Sequence, residues 1–155
     1  MALDARYEHF RNFALRFPLE KFDGYVPSSQ RTLAILLDVE QDGAICTTYL
    51  NAVGDGSVYL SNGTIIYGGS GHEDIANTAR LVVAKADGFV GRMHRTDSFP
   101  LPATGERTLY LLSRDGTFLD VSPTTNPAKW PEIENPVLAV SLAILDRRHA
   151  GRTVG

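Results

Sequence analysis

The chain has 155 residues, of which 43% are hydrophobic and 21% are charged, and its formal net charge is −3. A chain of this length buries roughly 68–70% of the surface that its unfolded form exposes, so a packed core needs no disulfides or metals. This composition excludes disordered, collagen-like and coiled-coil chains. The balanced charge provides no global field that would attract nucleic acid or anionic lipid. One domain over residues 1–155 is therefore expected.

The sequence predicts a cytoplasmic protein without a membrane segment. The first twelve residues carry a charge every two or three positions, and the longest strongly apolar run, Val137 to Leu145, has nine residues. That length is about half of what a membrane span needs, and a signal peptide would need an apolar segment near the start. The single cysteine, Cys46, lies in a β-branched run, which favours a small buried hydrophobe over a reactive thiol.

An amphipathic helix is expected over residues 2–17, ending before Pro18, and residues 18–30 are expected to be a connection. Apolar positions recur at helical spacing and charged residues occupy the remaining positions. The apolar positions are Leu3, Tyr7, Phe10, Ala14 and Phe17, and the charged ones are Asp4, Arg6, Glu8, Arg11 and Arg16. Such an aromatic stripe is typical of a helix face that packs on a core.

Three Asx-Gly pairs, each flanked by β-rich runs, predict three β-hairpins. The pairs are Asp42-Gly43, Asn62-Gly63 and Asp115-Gly116. Both central residues of the favoured two-residue turn need positive φ, which Asn-Gly and Asp-Gly tolerate best. A mainly antiparallel sheet of about six short strands is therefore expected.

Two further helices are expected. The first follows the second hairpin, with an apolar face formed by Ile75, Ala79, Val82, Val83, Ala86, Phe89 and Val90. Residues 94–107 and 122–136 are expected to be loops, the second because its four prolines bar regular structure. The last helix is predicted to begin at Asn135-Pro136, and because it is apolar nearly all round, the sheet, or the sheet and a second protein, must cover it. The order α-β-β-β-β-α-β-β-α predicts an α+β fold with three helices on one face of the sheet.

Residues 59–74, YLSNGTIIYGGSGHED, form the densest glycine cluster in the chain. A phosphate-binding loop would need Lys and Ser or Thr after its glycines, and a dinucleotide fingerprint would need a glycine at position 74. A nucleophile elbow fails because His72 stands where its second glycine should be. Consecutive helical residues point about 100° apart, so residues 72–74 cannot close on one metal ion.

The glycine cluster is better explained as a helix start. Ser70 and Glu73 have the S-x-x-E form of a capping box, in which each side chain accepts a backbone N–H of the other's residue. A ligand or partner carboxylate bound to the N–H groups around Ser70 and Gly71 is the alternative. His94, Asp97 and Ser98 supply the residue types of a catalytic triad, but residue types alone do not make one. Neither a cofactor nor a metal is expected.

The order of features from Tyr59 onward resembles an uncharacterised family of small bacterial proteins that share the pattern YLS-x-G-x-I-I-x-G-G-x-x-HE. The pattern falls on residues 59–73. It is followed by an Ala- and Val-rich helix (75–90), a proline-rich loop (99–105), an LYLL…DG hairpin (109–116) and a closing apolar helix (136–145). The resemblance covers about two thirds of the chain and implies no catalytic residue. Such proteins are similar to the immunity and accessory proteins of bacterial conflict systems.

Together these features favour a non-enzymatic protein that binds another protein, whether as an immunity protein, an adaptor or a homodimer. The apolar last helix supports this, and so do the two long loops, which carry Phe99 and Trp130. Tryptophan is enriched at the positions of an interface that contribute most to binding. The candidate binding residues are Ser70, Gly71, His72, Glu73, Phe99 and Trp130. For Trp130, anchoring its loop to the core is favoured over a partner contact. A small-ligand sensor that uses the glycine loop, and a small hydrolase that uses Ser70 or His72, are the alternatives.

Overall fold

The computed structural model describes residues 3–68, 71–127 and 129–154, with the backbone alone for residues 147–154. The helices are α1 (Ala5–Leu15), α2 (Glu73–Lys85) and α3 (Pro131–Val154). The strands are β1 (Thr32–Gln41), β2 (Ala44–Asn51), β3 (Gly56–Leu60), β4 (Ile65–Ile66), β5 (His94–Thr96), β6 (Glu106–Ser113) and β7 (Gly116–Pro123). All seven strands form one antiparallel sheet in the order β4-β3-β2-β1-β6-β7-β5.

The fold is α+β and single-domain, as predicted, but it has seven strands and a different element order. The additional strand is β5, which lies in a segment expected to be a loop and pairs with β7 between His94 and Leu119. A strand of three residues is too short to show the alternation of apolar and polar side chains by which strands are recognised. The order is therefore α-β-β-β-β-α-β-β-β-α.

All three predicted hairpins form, but only the first has the expected turn. Asp42 and Gly43 have φ of 54° and 83°, and no other described non-glycine residue has positive φ. Four residues separate β3 from β4, and among them only Gly63 has positive φ. In the third hairpin Ser113 pairs with Gly116, so the turn residues are Arg114 and Asp115. The Asx-Gly signal thus located each hairpin without fixing its geometry.

The second helix matches its prediction, and the third begins earlier than predicted. The expected apolar face of α2 and of the 3-10 turn that continues it, Ala86–Arg92, is buried except at Val90, which is half-buried. The predicted start of α3 at Asn135-Pro136 is wrong, because α3 begins at Pro131. The Trp130 carbonyl accepts the N–H groups of Ile133 and Glu134. Pro131 occupies the first helical position, where a missing N–H costs nothing, and Pro136 lies inside the helix.

Helices cover both faces of the sheet, so the expectation that they share one face is wrong. On the face covered by α2 and α3, Ile35 and Leu37 pack with Val83 and Val137. On the face covered by α1, Leu36 packs with Tyr7 and other residues. Successive side chains of a strand point to opposite faces. The unbroken apolar run in β1 is therefore buried on both sides, which is typical of a strand between two layers.

The α3 helix buries one stripe of apolar side chains and leaves part of its apolar surface exposed. Ile133, Val137, Val140 and Ile144 are buried at helical spacing, whereas the side chain of Leu142 is 62% exposed. Three residues that flank the buried stripe are half-buried and pack against the same core, namely Leu138, Ala143 and Leu145. Within the described part of the chain, no helix combines the length and the apolar character needed to cross a membrane.

Candidate binding groove

A buried polar network fixes α1 to the sheet. Asp38 in β1 is 0% exposed, and its Oδ2 lies 2.7 Å from Arg11 Nη2. Thr47 donates its hydroxyl to Asp38 Oδ1 at 2.5 Å, and the hydroxyls of Tyr7 and Thr47 are 2.7 Å apart. Arg11 was expected among the charged positions outside the apolar stripe of the helix. It is instead 4% exposed, because Asp38 provides a buried counter-ion.

The same network ties the loop before β6 to α1. Arg11 donates to the main-chain carbonyls of Phe99 and Pro100 at 3.1 and 3.2 Å, and the Tyr110 hydroxyl donates to the Pro100 carbonyl at 2.6 Å. Burial raises the pKa of Tyr110 to about 12 and also raises the pKa of Tyr7, so both phenols stay protonated at neutral pH. These groups are sealed from solvent, and their role is to position α1.

The N-terminal end of α1 is fixed separately, on the β3–β4 turn. The Asp4 carboxylate caps the helix by accepting the N–H of Arg6 at 2.8 Å, and the Asp4 N–H donates to the Ser61 carbonyl at 3.1 Å. A Cβ atom at Gly63 would lie 2.5 Å from Asp4 Cγ, so only glycine permits this contact. Because α1 is held at this end and along its buried side, the space beside it is formed in advance.

That space is a groove of about 370 Å³ between α1 and the β2–β3–β4 part of the sheet. The helix contributes positions i, i+3 and i+4, which lie on one face. From α1 these are Phe10, Phe13 and Ala14; the chain just after α1 contributes Phe17; the sheet contributes Tyr49, Ser57 and Tyr59; the chain after β4 contributes Tyr67 and Gly68; and the β2–β3 turn contributes Asn51 and Asp55. We call this feature the aromatic groove.

Aromatic rings dominate the groove, and two of them are largely exposed. Phe10 lies between Tyr59 and Tyr67, with ring centroids 5.9 and 6.2 Å apart. The side chains of Phe13 and Tyr67 are 60% and 70% exposed. Single exposed apolar side chains are ordinary on protein surfaces, but several that line one concave surface indicate a binding site.

One end of the groove is polar and carries a carboxylate. The side-chain oxygen of Asn51 accepts the N–H groups of Val53 and Asp55 at 3.2 and 3.0 Å, and its amide donates to Asp55 Oδ2 at 3.1 Å. Asp55 is exposed and is the only charged residue among the described residues that line the groove. Burial raises the pKa of Tyr49 and of Tyr59, and the nearby Asp55 carboxylate adds to both shifts. The phenols therefore stay neutral, and the lining carries one negative charge.

The start of α2 differs from the prediction. Ser70 lies outside the described residues, as does Gly69. The N-cap of α2 is His72, in extended conformation, and Glu73 is the first helical residue. A Ser70 cap would make Glu73 the third helical residue, so α2 begins two residues later than predicted, and the Ser70 side of the capping box lies outside the described residues. Gly71 and Glu73 are exposed, and the Gly71 N–H donates to the Gly68 carbonyl at 3.1 Å. Ligand binding by the N–H groups around Ser70 and Gly71 stays a prediction.

The two loop candidates, Phe99 and Trp130, lie on opposite faces of the sheet. Phe99 packs edge-on against Tyr110, and the Arg16 guanidinium lies 5.1 Å from its ring centroid. Trp130 is 2% exposed, and its indole N–H donates to Asp120 Oδ2 at 3.1 Å. This burial agrees with the anchoring role that the sequence favoured for Trp130. Neither these two rings nor residues 71–73 are among the described residues that line the aromatic groove.

Sequence reasoning missed the aromatic groove, although two signals pointed toward it. Phe13 comes three residues after Phe10 and four before Phe17, so it adds a further ring to the aromatic side of the first segment. Tyr67 comes after the last strand residue and before Gly68, where no strand pairing uses it. Asp55 lies in the β2–β3 turn, and no sequence pattern marks it as a site residue.

No protein-family model, curated protein or solved structure matches this chain. The resemblance described from Tyr59 onward stays a prediction. The described residues contain no group of three or more His, Cys, Asp and Glu side chains placed to hold a metal ion.

Proposed function

We propose that this protein is a non-enzymatic binding protein that binds another protein through the aromatic groove. The observation that supports the proposal is the pair of exposed rings, Phe13 and Tyr67, on a groove whose walls are fixed by buried contacts. Aromatic residues are enriched in protein interfaces, and a preformed surface loses little conformational entropy on binding.

The surface around the groove favours a protein over a small ligand. A polar depression lined by Arg6, Asn62 and Thr64, among others, shares Phe10 and Tyr67 with the groove. A further depression, lined by residues that include His9, Asn12 and Arg16, shares Phe13 and Phe17 with it. Because they share these residues, the three depressions adjoin one another along the first segment of the chain. A protein that inserts a side chain into the groove would contact the flanking depressions as well.

A small-ligand sensor is the second candidate. The groove volume of about 370 Å³ lies within the range of roughly 300–1,000 Å³ that is usual for ligand pockets. Among protein-binding roles we favour an immunity or accessory protein of a bacterial conflict system, because such a protein acts by occupying the surface of a toxin or another component. A homodimer would use the same surface to bind a second copy.

Site-specific photo-crosslinking in the cells that naturally make the protein tests this proposal. A benzophenone amino acid at Tyr67 places the probe on the groove, and the same probe at Tyr25 is the matched control. Tyr25 is 79% exposed and does not line the groove. We expect a discrete adduct from position 67 that position 25 does not give, with a partner identified by mass spectrometry.

Binding of the purified partner then completes the test. Phe13→Ser should weaken binding at least tenfold, which corresponds to the loss of about 1.4 kcal/mol from one buried ring, whereas Tyr25→Ser should leave it unchanged. An adduct made of two copies of this chain would replace the proposal by self-association. Equal adducts from both positions would contradict a role for the groove.

A further inference from the structure

We infer that the side chain that enters the aromatic groove is an arginine of the partner protein, with the Asp55 carboxylate as its counter-ion. This inference rests on the proposed function, because it specifies what the partner places in the groove. It follows from the charge of the groove lining, from its aromatic rings and from their arrangement relative to Asp55.

Charge complementarity is the first argument. The described lining contains one carboxylate and no Lys, Arg or His. Asp55 makes no ion pair with any described residue, and its side-chain hydrogen bond comes from the neutral amide of Asn51. An anionic partner group would be repelled, and a neutral apolar one would leave the carboxylate without a counter-ion. A cation offsets this charge.

The aromatic lining is the second argument, and it favours arginine over lysine. The negative faces of aromatic rings attract a cation within about 6 Å of the ring centroid. A guanidinium is planar, stacks on rings, is less strongly hydrated than an ammonium and binds a carboxylate through a fork of N–H groups. The chain itself uses this contact, since Arg92 lies 4.4 Å from the Phe89 ring centroid and Arg16 lies 5.1 Å from that of Phe99.

The layout of the groove is the third argument. Most of its lining is aromatic rings with an alanine methyl group, and its carboxylate belongs to the β2–β3 turn, just before the strand that contributes Ser57 and Tyr59. An arginine side chain has its apolar and charged parts in the same order, with an apolar stem followed by a charged head. The stem would pack between Phe13 and Tyr67 while the guanidinium reaches Asp55.

Two blocked pentapeptides test the inference, one with a central arginine between alanines and one with citrulline in its place. Citrulline keeps the shape of arginine but has no charge. Binding is followed by NMR shifts of the Phe and Tyr ring protons of the intact protein. One cation–π contact and one exposed ion pair together predict that the arginine peptide binds about tenfold more tightly at low salt. Asp55→Asn should reduce that ratio about threefold or more, while Asp42→Asn, which removes an exposed turn carboxylate, should leave it unchanged.

The possible outcomes separate this inference from the proposed function. Equal binding of both peptides, or a ratio that Asp55→Asn does not change, would overturn the inference and leave a groove that binds uncharged side chains. Failure of both peptides to bind at 10 mM would also overturn it. The crosslink from position 67 is an independent result. A partner adduct without a preference for the arginine peptide would refute only the inference about arginine. The absence of an adduct would refute the proposed function.

Discussion

The two faces of the sheet are built differently, and only one of them carries the proposed binding groove. The face under α2 and α3 has a continuous apolar core that is closed along both helices. The face under α1 has a smaller apolar cluster, to which Tyr7 and Arg11 add buried hydrogen bonds along one side of the helix, and the other side is open as the aromatic groove. A helix that is fixed along one side can thus keep apolar side chains exposed on the other.

The two buried ion pairs show the same contrast. On the α1 face, the carboxylate of Asp38 accepts from both Arg11 and Thr47. On the other face, Arg107 pairs with Glu134 at 3.0 Å and also donates to the Asn126 carbonyl. Arg107 Nε and Glu134 Oε2 nevertheless have no hydrogen-bond partner among the described residues. Because buried polar groups without partners cost stability, the pair under α1 is the better stabiliser.

The largest predicted effect breaks the attachment of α1. Asp38→Ala should lower the free energy of unfolding by about 3–5 kcal/mol, because it leaves the Arg11 guanidinium buried without a counter-ion. The double variant Arg11→Met with Asp38→Leu should lose much less, since it removes both charges. Urea denaturation measures both changes. Equal losses in the single and double variants would show that the ion pair does not hold the helix.

A slightly smaller effect is expected on the opposite face. Ile133→Ala should cost about 2–4 kcal/mol, because Ile133 is 0% exposed in the core under α3 and its truncation leaves a cavity. Leu142→Ala, on the exposed side of the same helix, is the matched control and should stay within about 0.5 kcal/mol of the wild type. The same denaturation experiment reports both. A large loss from the Leu142 variant would mean that a second surface covers α3.

The pH dependence of stability tests a further contact on the α1 face. By strand alternation Glu40 shares a face with Asp38, and its carboxylate accepts the backbone N–H groups of Gly43 and Gly105. These hydrogen bonds lower the pKa of Glu40 below its ordinary value of 4.5. The folded state binds this proton less readily than the unfolded state. The contribution of Glu40 to the free energy of unfolding is therefore fully present above about pH 4.5 and is lost as pH falls through the pKa of the folded state.

Glu40→Gln isolates that contribution. The variant should lose less stability than the wild type between pH 5 and pH 3, because it has no carboxylate to protonate at this position. Denaturation midpoints at these two pH values measure the difference. Parallel decreases in the two proteins would assign the acid sensitivity to other carboxylates.

The strongly patterned elements of this fold could be predicted from the sequence. The α2 face, the three hairpin positions and the first helix follow from local periodicity and turn chemistry. The burial of Arg11 could not be predicted from the sequence of α1 alone, because it depends on Asp38 in β1. That aspartate interrupts an otherwise apolar run, and a charge in such a run indicates a buried counter-ion elsewhere in the chain.

The aromatic groove could not be predicted from local sequence patterns, for a similar reason. Its walls come from α1 and from the chain after β4, and their separation depends on how α1 docks on the β3–β4 turn through Asp4 and Gly63. The glycine cluster drew attention to this part of the chain, but the exposed ring of Tyr67, just before Gly68, has no turn or motif pattern to mark it.

The most direct test compares the two faces in one experiment. The groove variant Phe13→Ser with Tyr67→Ser, and the matched variant Leu81→Ser with Leu142→Ser on the outer sides of α2 and α3, each remove two largely exposed apolar side chains. Binding of the partner identified by crosslinking is measured by calorimetry, together with the Tm of each variant. The groove variant should lose binding by tenfold or more while its Tm stays within a few degrees of the wild type, and the matched variant should bind normally. Normal binding by the groove variant, or loss of binding by the matched variant alone, would contradict the assignment of binding to the α1 face.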